Sequence, residues 1–309
     1  MRQYRFLQYD VFTELPFMGN QLAVIPDAGG LTDGEMQAIA REMNYSETTF
    51  VSPATDIKAI RKVRIFTPET ELPFAGHPTI GTTFALVNEK VVRSGDVLPI
   101  YLELGIGTIP IDLFFEGEQL SFVWMHQPVP EFAVWQGSRE KLLESVGLGP
   151  QDLAPDLPIE RGSAGVPFVY VPLRTTEALQ RAQPGNAAML RAALGEDNAH
   201  AGLYLFSCEF NQAAAGTPIV RTRMFGPALG VAEDAGTGSA AGPFAVYLLR
   251  HGITRPSRDG DVSIQIEQGV EMGRPCHLRS SLTCEEEAVR DVRVGGEAVL
   301  VAEGTIFVP

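Results

Sequence analysis

The chain has 309 residues, with 24 Lys and Arg against 38 Asp and Glu, which gives a formal net charge of −14. Proteins that bind nucleic acids or anionic membranes usually carry clusters of basic residues. The sequence shows no such cluster, so it predicts neither kind of partner. It also shows no apolar run of membrane-spanning length and no signal-peptide pattern at its N-terminus. Three cysteines without CxxC spacing fit free thiols in a reducing compartment, which predicts a cytoplasmic protein.

The first part of the chain alternates strand and helix patterns. Thr32 can cap a helix, Glu35 can complete its capping box, and Asn44 is a suitable C-terminal stop. Strands are predicted around this helix over residues 4–13, 21–25, 45–51 and 60–66.

The stretch 64–90 reads as a strand, a turn at Ala75, Gly76 and His77, and a helix predicted to open at Pro78. Proline is tolerated at the first helical position because its missing N–H would lack a partner there. Apolar residues spread around the helix, which predicts a buried helix. Its N-terminus would direct free N–H groups and the positive end of the helix dipole toward Gly76 and His77.

The same pattern recurs in the second half of the chain. Residues 64–68 align with residues 223–227, and with one residue inserted Ala75-Gly76-His77 aligns with Ala235-Gly236-Thr237. A second small apolar helix follows and stops at His251. Two copies of strand, turn and buried helix favour two domains related by duplication over a chance similarity.

The rest of the chain is rich in strands, with a few short helices and no regular alternation of the two. This pattern predicts an α+β protein with a mostly antiparallel sheet. We expect an N-terminal domain over residues 1–124, joined by the C-terminal strand at about 297–309, and a C-terminal domain over residues 125–296.

A few side chains near the turns could carry chemistry. His77 is either a general acid or base, because its usual pKa lies near neutrality, or a helix cap. Glu47 is a carboxylate that would normally face solvent, unless it enters a pocket. Asp234, aligned with Phe74, is either a cap before the second helix or a site residue. Ser239 could donate its hydroxyl to a bound anion.

The placement of these residues in two repeated units favours a shared site over separate structural roles. Repeated halves commonly face one another across a cleft, which would bring His77, Asp234 and both helix N-termini together. An acid, a base and two sets of backbone N–H donors suit proton transfer next to a carboxylate or carbonyl group.

Nucleotide and metal sites are not indicated. The Gly236-Thr237-Gly238 turn lacks the Lys and Ser or Thr of a phosphate-binding loop, and no GxGxxG follows the first strand. The other histidines show no ligand spacing, and Cys208 is expected in the core. The sequence therefore predicts neither a metal nor a cofactor.

Segments spread over most of the chain match the motifs of a known family. They are residues 9–13, 16–17, 19–20, 43–50, 64–68, 72–79, 233–234, 237–240, 268–269 and 272–275. Together these segments resemble the PhzF-like isomerases of phenazine biosynthesis, within the wider diaminopimelate epimerase-like fold.

The resemblance implies two similar domains, each a curved, mostly antiparallel sheet around a central buried helix, with a cleft between them. A homodimer is usual in the family. The implied chemistry is isomerisation without a cofactor, as when a hydrogen of dihydro-3-hydroxyanthranilate moves from C3 across the diene to give a ketone.

The resemblance also implies roles for particular residues. Glu47 would be the general acid/base that carries the proton, and His77 and Asp234 would position the substrate and assist. The carboxylate of the substrate would be held by Gly76, Gly238 and Ser239.

The sequence departs from its relatives at the two turns, the second of which reads Asp-Ala-Gly-Thr-Gly-Ser where the family often has Asp-Pro-Ala-Thr-Gly-Ser, and in the segment 163–173. Epimerases and racemases of this fold use a thiol at each turn, but these positions hold Ala75 and Ala235, which excludes racemisation by two cysteines. The segment 163–173, which we expect to line the cleft, matches only loosely, so the substrate stays open.

We therefore predict a cofactor-independent, PhzF-like isomerase that acts on a small carboxylate. One alternative is a binding or regulatory protein that keeps the cleft without turnover, and another is an epimerase that uses Glu47 as a single base. The presence of Glu47, His77 and Asp234 argues against the binding protein, which needs no proton shuttle.

Overall fold

The computed structural model describes residues 1–198, 200–212, 217–226, 230–286 and 288–309. Its helices are α1 (Asp33–Met43), α2 (Gly76–Asn88), α3 (Arg139–Glu144), α4 (Thr176–Arg181), α5 (Ala187–Leu194) and α6 (Gly238–Arg250). Its strands are β1 (Arg2–Val11), β2 (Asn20–Ile25), β3 (Glu47–Ser52), β4 (Arg61–Phe66), β5 (Glu71–Leu72), β6 (Ile100–Leu104), β7 (Gly107–Glu116), β8 (Gln119–Gln127), β9 (Glu131–Val134), β10 (Glu160–Ser163), β11 (Pro167–Leu173), β12 (Gly202–Ser207), β13 (Asn211–Gln212), β14 (Pro218–Gly226), β15 (Val231–Asp234), β16 (Asp261–Gln268), β17 (Cys276–Glu285), β18 (Ala288–Gly296) and β19 (Ala298–Val308).

The strand pairing of the first half follows a fixed order. β1 pairs antiparallel with β2, β2 parallel with β3, β3 antiparallel with β4, and β4 parallel with β6. β6, β7 and β8 continue antiparallel, and β5 adds a short strand beside β4. The sheet is therefore mixed but mostly antiparallel, as predicted.

The second half repeats this order, with the short strand β13 added beside β14. β10 pairs antiparallel with β11, β11 parallel with β12, β12 antiparallel with β14, and β14 parallel with β16. β16, β17 and β18 continue antiparallel, and β15 lies beside β14 as β5 lies beside β4. The duplication inferred from the sequence is thus a duplication of topology.

The two halves exchange their last strands. β8 pairs with β18 at the junction, and the chain then passes from β8 to β9, which pairs with β10. In the same way the chain passes from β18 to β19, which returns to pair with β1. The predicted limit between residues 124 and 125 falls inside β8, so the division into domains stays a prediction.

The central helices are buried around their circumference. Every residue from Gly76 to Leu86 in α2, and from Gly238 to Leu248 in α6, is buried, which confirms the prediction of two buried helices. Threonines are tolerated there because their hydroxyls have partners: Thr79 Oγ1 donates to the Ala75 carbonyl at 2.7 Å, Thr83 Oγ1 donates to the Thr79 carbonyl at 2.9 Å, and Thr82 Oγ1 lies 2.8 Å from Thr49 Oγ1 in β3.

The start of each central helix corrects the sequence analysis. α2 begins at Gly76 rather than Pro78, so His77 lies in the first turn. α6 begins at Gly238, which makes Gly238 rather than Gly236 the counterpart of Gly76. More than one residue is therefore inserted in the second copy. Pro227, the end of the aligned strand motif, lies outside the described residues.

Strand pairing shifts the alignment of the two copies in the same way. Asp234 pairs with Met224 in β14, whereas Leu72 pairs with Ile65 in β4. Asp234 thus takes the position of Leu72 and not of Phe74. The one-residue insertion failed because an alignment by letters cannot see which residues face one another in the ladder.

The first helix has the predicted ends. Thr32 Oγ1 accepts from the Glu35 N–H, and the Glu35 carboxylate accepts from the Thr32 N–H at 2.8 Å, which completes the capping box. Asn44 ends the helix in the left-handed conformation, with φ of 53°. Within the described part of the chain, no helix is long and apolar enough to cross a membrane.

Candidate active site

The N-termini of α2 and α6 meet at the centre of the molecule. A Cβ atom placed on Gly76 would lie 2.4 Å from the Gly238 Cα, and one on Gly238 would lie 2.9 Å from the Gly76 Cα. Only glycine permits such close contact of two backbones. The predicted substrate-holding residues Gly76, Gly238 and Ser239 therefore belong to two adjoining helix N-termini, one from each half.

Glu47 lies beside this junction as the first residue of β3. The side chain does not face solvent: Glu47 is only 9% exposed, and its Oε2 lies 3.3 Å from His77 Nε2. Among the described residues neither atom has a hydrogen-bond partner, since the pair is close but not aligned as a hydrogen bond. The carboxyl and the imidazole thus form a buried pair able to exchange a proton.

Asp234 reaches the pair from the second half. Its Oδ1 accepts from Asn20 Nδ2 at 2.7 Å, and its Oδ2 accepts from Thr237 Oγ1 at 2.7 Å. α6 has Thr237 at its N-cap position and no side-chain cap, so Asp234 does not cap the helix. Gln268 Nε2 donates to the Asp234 carbonyl at 2.8 Å and fixes the backbone of the turn.

Burial pushes the acid and the base of this cluster toward their neutral forms. The pKa of Glu47 is raised well above 4.5 by burial and, secondly, by the charge of Asp234. Burial lowers the pKa of His77 to about 3, against a smaller opposing effect of the Gln21 backbone. Burial also raises the pKa of Asp234, although Thr237 and Asn20 donate to it. Such shifts are typical of acid–base sites.

The cluster also has the geometry of a small metal site. One ligand atom each from Glu47, His77 and Asp234 lies within 4.8 Å of the others. The Asn20 amide nitrogen, which is a donor, faces Asp234 at 2.7 Å and His77 Nδ1 at 3.1 Å. Because an N–H group beside two of the three groups opposes a cation, the prediction of no metal is kept and needs a chelator control.

A cavity of about 240 Å³ opens beside the cluster. Its lining includes Asn20, Ser46 and Ala235 next to the site, with Tyr45 and Arg274 from the two halves around them. Its lining includes neither the segment 163–173 nor Glu47, His77 and Asp234, so the expectation that this segment lines the cleft stays a prediction. Most of that segment forms β11 inside the core.

Two contributors to the site had no assigned role in the sequence analysis. Asn20 touches both His77 and Asp234, and Gln268 holds the turn before α6. Both residues lie in motifs that carried the family resemblance. A buried polar residue inside such a motif was the available signal, but its partners lie too far along the chain to be read from spacing.

Comparison with known proteins gives this arrangement a family. A family model described as phenazine biosynthesis-like protein, PhzC-PhzF, matches residues 9–304. The chain belongs to this family. The trans-2,3-dihydro-3-hydroxyanthranilate isomerase of Pseudomonas fluorescens is 37% identical over 304 residues, covering 98% of this chain and 99% of that protein.

Solved structures agree with the PhzF-family assignment. The PhzF-family phenazine biosynthesis protein of Bacillus anthracis superposes with a TM-score of 0.85 at 28% identity, covering 100% of both chains. A probable proline racemase from Agrobacterium radiobacter K84, at 13% identity, shares the fold with a TM-score of 0.64 over 99% of this chain and 93% of that one. The predicted family, the epimerase-like fold and the isomerase class are confirmed.

Proposed function

We propose that this PhzF-family isomerase moves a hydrogen within a small cyclic carboxylate of the trans-2,3-dihydro-3-hydroxyanthranilate type. The observation that carries the proposal is the buried pair of Glu47 Oε2 and His77 Nε2, 3.3 Å apart beside two helix N-termini. The similarity to the Pseudomonas fluorescens isomerase supports the choice of substrate class.

In the proposed reaction, Glu47 takes the proton from C3 as a carboxylate and returns it at the far end of the diene. The bond to hydrogen that breaks at C3 is replaced by one that forms at the other end, and the enol left behind becomes a ketone. Atoms and electrons balance within the substrate. No oxidant, reductant or cofactor is therefore required.

The substrate carboxylate is proposed to sit at the meeting helix N-termini. The first backbone N–H groups of α2 and α6 have no helical partner, and both helices direct the positive ends of their dipoles there. Ser239 adds a hydroxyl in the first turn of α6. Gly76 and Gly238 let the two helix N-termini meet, which brings both sets of N–H groups to one place.

His77 and Asp234 are proposed to orient the reaction. A neutral imidazole can donate to or accept from Glu47 as its carboxyl changes state, and burial keeps His77 neutral. Asp234, anchored by Asn20 and Thr237, lies where it can contact the amino or hydroxyl group of a cyclic substrate.

The test is turnover of trans-2,3-dihydro-3-hydroxyanthranilate in D₂O, followed by diene absorbance and by mass spectrometry of the product. We expect Glu47→Gln to lower kcat by about 100-fold or more, the loss typical of removing a general acid–base. Glu118→Gln, at an exposed turn, is the matched control and should keep full activity. Wild-type turnover should be unchanged after dialysis against a chelator.

Other outcomes would favour a different function or a different proton carrier. If the wild type and Glu47→Gln both bind the compound and neither converts it, the cleft is a binding site or takes another carboxylate. This result would favour the alternative of a binding or regulatory protein. If Glu47→Gln turns over as fast as the wild type, Glu47 is not the proton carrier. Loss of optical rotation in an amino-acid substrate would support the single-base epimerase.

We also propose that the protein is a cytoplasmic homodimer. The cysteines Cys208, Cys276 and Cys284 are unpaired, which suits a reducing compartment. Family resemblance is the support for the dimer. Sedimentation equilibrium should give twice the chain mass of 33.5 kDa, and the mass of a single chain would contradict the dimer.

The proposed domains are residues 1–124 with about 297–309, and residues 125–296. Support comes from the return of β19 to β1 and from the repeated strand order of each half.

A further inference from the structure

Asn20 is a buried polar residue whose contact with His77 has no role in the proposed reaction so far described. It opens β2, is only 2% exposed, and its side-chain nitrogen faces three groups. Nδ2 lies 2.7 Å from Asp234 Oδ1, 3.0 Å from the Gly236 carbonyl and 3.1 Å from His77 Nδ1. One amide therefore connects the imidazole of the first half to the carboxylate and turn of the second.

The orientation of this amide follows from its neighbours. Two of the three groups, Asp234 Oδ1 and the Gly236 carbonyl, are oxygens that accept hydrogen bonds. A flipped Asn20 would place its own oxygen against both of them, which leaves three buried acceptors without a donor. The amide nitrogen must therefore occupy this position.

The same orientation decides where His77 carries its proton. An N–H on His77 Nδ1 would face the N–H₂ group of Asn20 at 3.1 Å, so this contact favours an unprotonated Nδ1. A neutral imidazole has one N–H, which then resides on Nε2. Nε2 is the atom that lies 3.3 Å from Glu47 Oε2.

We propose that Asn20 is a positioning residue that fixes the His77 tautomer with its proton on Nε2, the ring nitrogen 3.3 Å from Glu47 Oε2. The proposal rests on the proposed function and deepens it. An N–H on this nitrogen can form a hydrogen bond to Glu47 after a small rotation, and such a bond favours the carboxylate form, which is the form that takes a proton from carbon. Asn20 thus readies the proton carrier through His77.

The loop that presents Asn20 is held by the other half of the molecule. Arg274 donates to Asp10 Oδ1 at 2.5 Å, to the Met18 carbonyl at 2.7 Å and to the Gly19 carbonyl at 2.8 Å. The Gly19 N–H donates to the Pro275 carbonyl at 3.0 Å. The motifs around residues 10, 19–20 and 272–275 therefore contact one another, and these contacts hold Asn20 in place.

The decisive measurement is nitrogen NMR on protein labelled with ¹⁵N-histidine. His77→Gln identifies the His77 signals by their loss. At neutral pH we expect the wild-type ring to be neutral, with the proton on Nε2 and the unprotonated signal from Nδ1. A proton on Nδ1 would overturn the proposal, and this result needs neither a substrate nor a folded variant of Asn20.

Asn20→Ala should remove the preference for the tautomer with its proton on Nε2 and give a mixture of the two tautomers. Asn88→Ala, at the exposed end of α2, should leave this preference intact. If Asn20→Ala folds and keeps the proton on Nε2, another group sets the tautomer and the proposal is wrong. Folding is checked by near-UV circular dichroism.

Kinetics add a second readout where the substrate turns over. For Asn20→Ala we expect kcat to fall about 10- to 100-fold with little change in KM, by analogy with outer partners that fix the tautomer of metal-bound histidines. The acidic limb of kcat/KM should move to higher pH, because Glu47 loses its donor. A drop in both parameters with an unmoved limb would indicate a merely structural role. If the substrate is not turned over at all, the proposed function fails while the NMR result stands.

Discussion

Glu47 and His77 face one another at 3.3 Å, and burial moves the pKa of each toward its neutral form. A carboxyl that holds its proton above the usual pH is a poor base until substrate and neighbours favour its ionised form. A histidine that stays neutral can act as a partner without adding charge. The site therefore works with a single mobile proton, which suits an isomerisation that returns to the substrate the proton it removes.

The pH dependence of kcat/KM tests this arrangement. Glu47 must be ionised to accept a proton from carbon, and its pKa is raised, so activity should be low at acidic pH and rise through an apparent pKa above 4.5. His77, with a pKa of about 3, should add no second limb near pH 6.5. Initial rates measured from pH 4 to pH 9 would show the limb. A flat profile down to pH 4.5 would contradict a raised Glu47 pKa.

At the scale of elements, the two central helices begin where a side chain cannot fit. Gly76 and Gly238 bring the helix N-termini into backbone contact, so both sets of free N–H groups point at one place. In a single helix the same N-terminus would bind an anion weakly. The pairing of two helices is what makes the junction a candidate carboxylate site.

Gly76→Ala tests the close contact. Its Cβ would lie 2.4 Å from the Gly238 Cα, and backbone atoms cannot swing away as a side chain does. We expect a loss of about 1–3 kcal/mol in the free energy of unfolding, typical of overpacking, together with weaker substrate binding. Urea unfolding and KM measure the two effects.

Gly34→Ala is the matched control. Gly34 lies in α1, with nothing within 4 Å of an added Cβ. The substitution should raise the free energy of unfolding by about 0.5–1 kcal/mol, because alanine loses less conformational entropy than glycine. Equal stability of both variants would show that the helix junction tolerates a side chain.

At the scale of the whole molecule, each half ends in a strand that crosses to the other. β19 leaves β18 and pairs with β1 along its length, from Arg2 opposite Val308 to Val11 opposite Ala298. β1 leads directly to β2, whose first residue is Asn20. The C-terminal strand β19 therefore supports β1, and β1 leads to the site residue Asn20 near the N-terminus of the chain.

A chain that stops at Gly296 tests this closure. Without β19, one edge of β1 loses its backbone partners, and we expect the cooperative unfolding transition to be lost or strongly lowered in temperature. Circular dichroism on heating measures it, and a peptide of residues 297–309 added in excess should restore part of the transition. An unchanged midpoint would argue against the proposed division of the domains.

The sequence by itself determined the features that depend on neighbours along the chain. The capping box of Thr32 and Glu35, the apolar circumference of α2 and the copy of its motif before α6 are all local patterns, because a helix repeats every few residues and its caps lie within one turn. The family motifs extended that analysis to Glu47, His77 and Asp234.

Only the tertiary structure decided what these residues do to one another. Asn20 and Asp234 are 214 positions apart, and no periodicity links them. Sequence position alone favoured the surface for Glu47, while packing of two repeated sheets around two helices buried it. Burial and partners set the pKa values and the tautomer of the site, and both depend on which strands pair, which is a property of the complete fold.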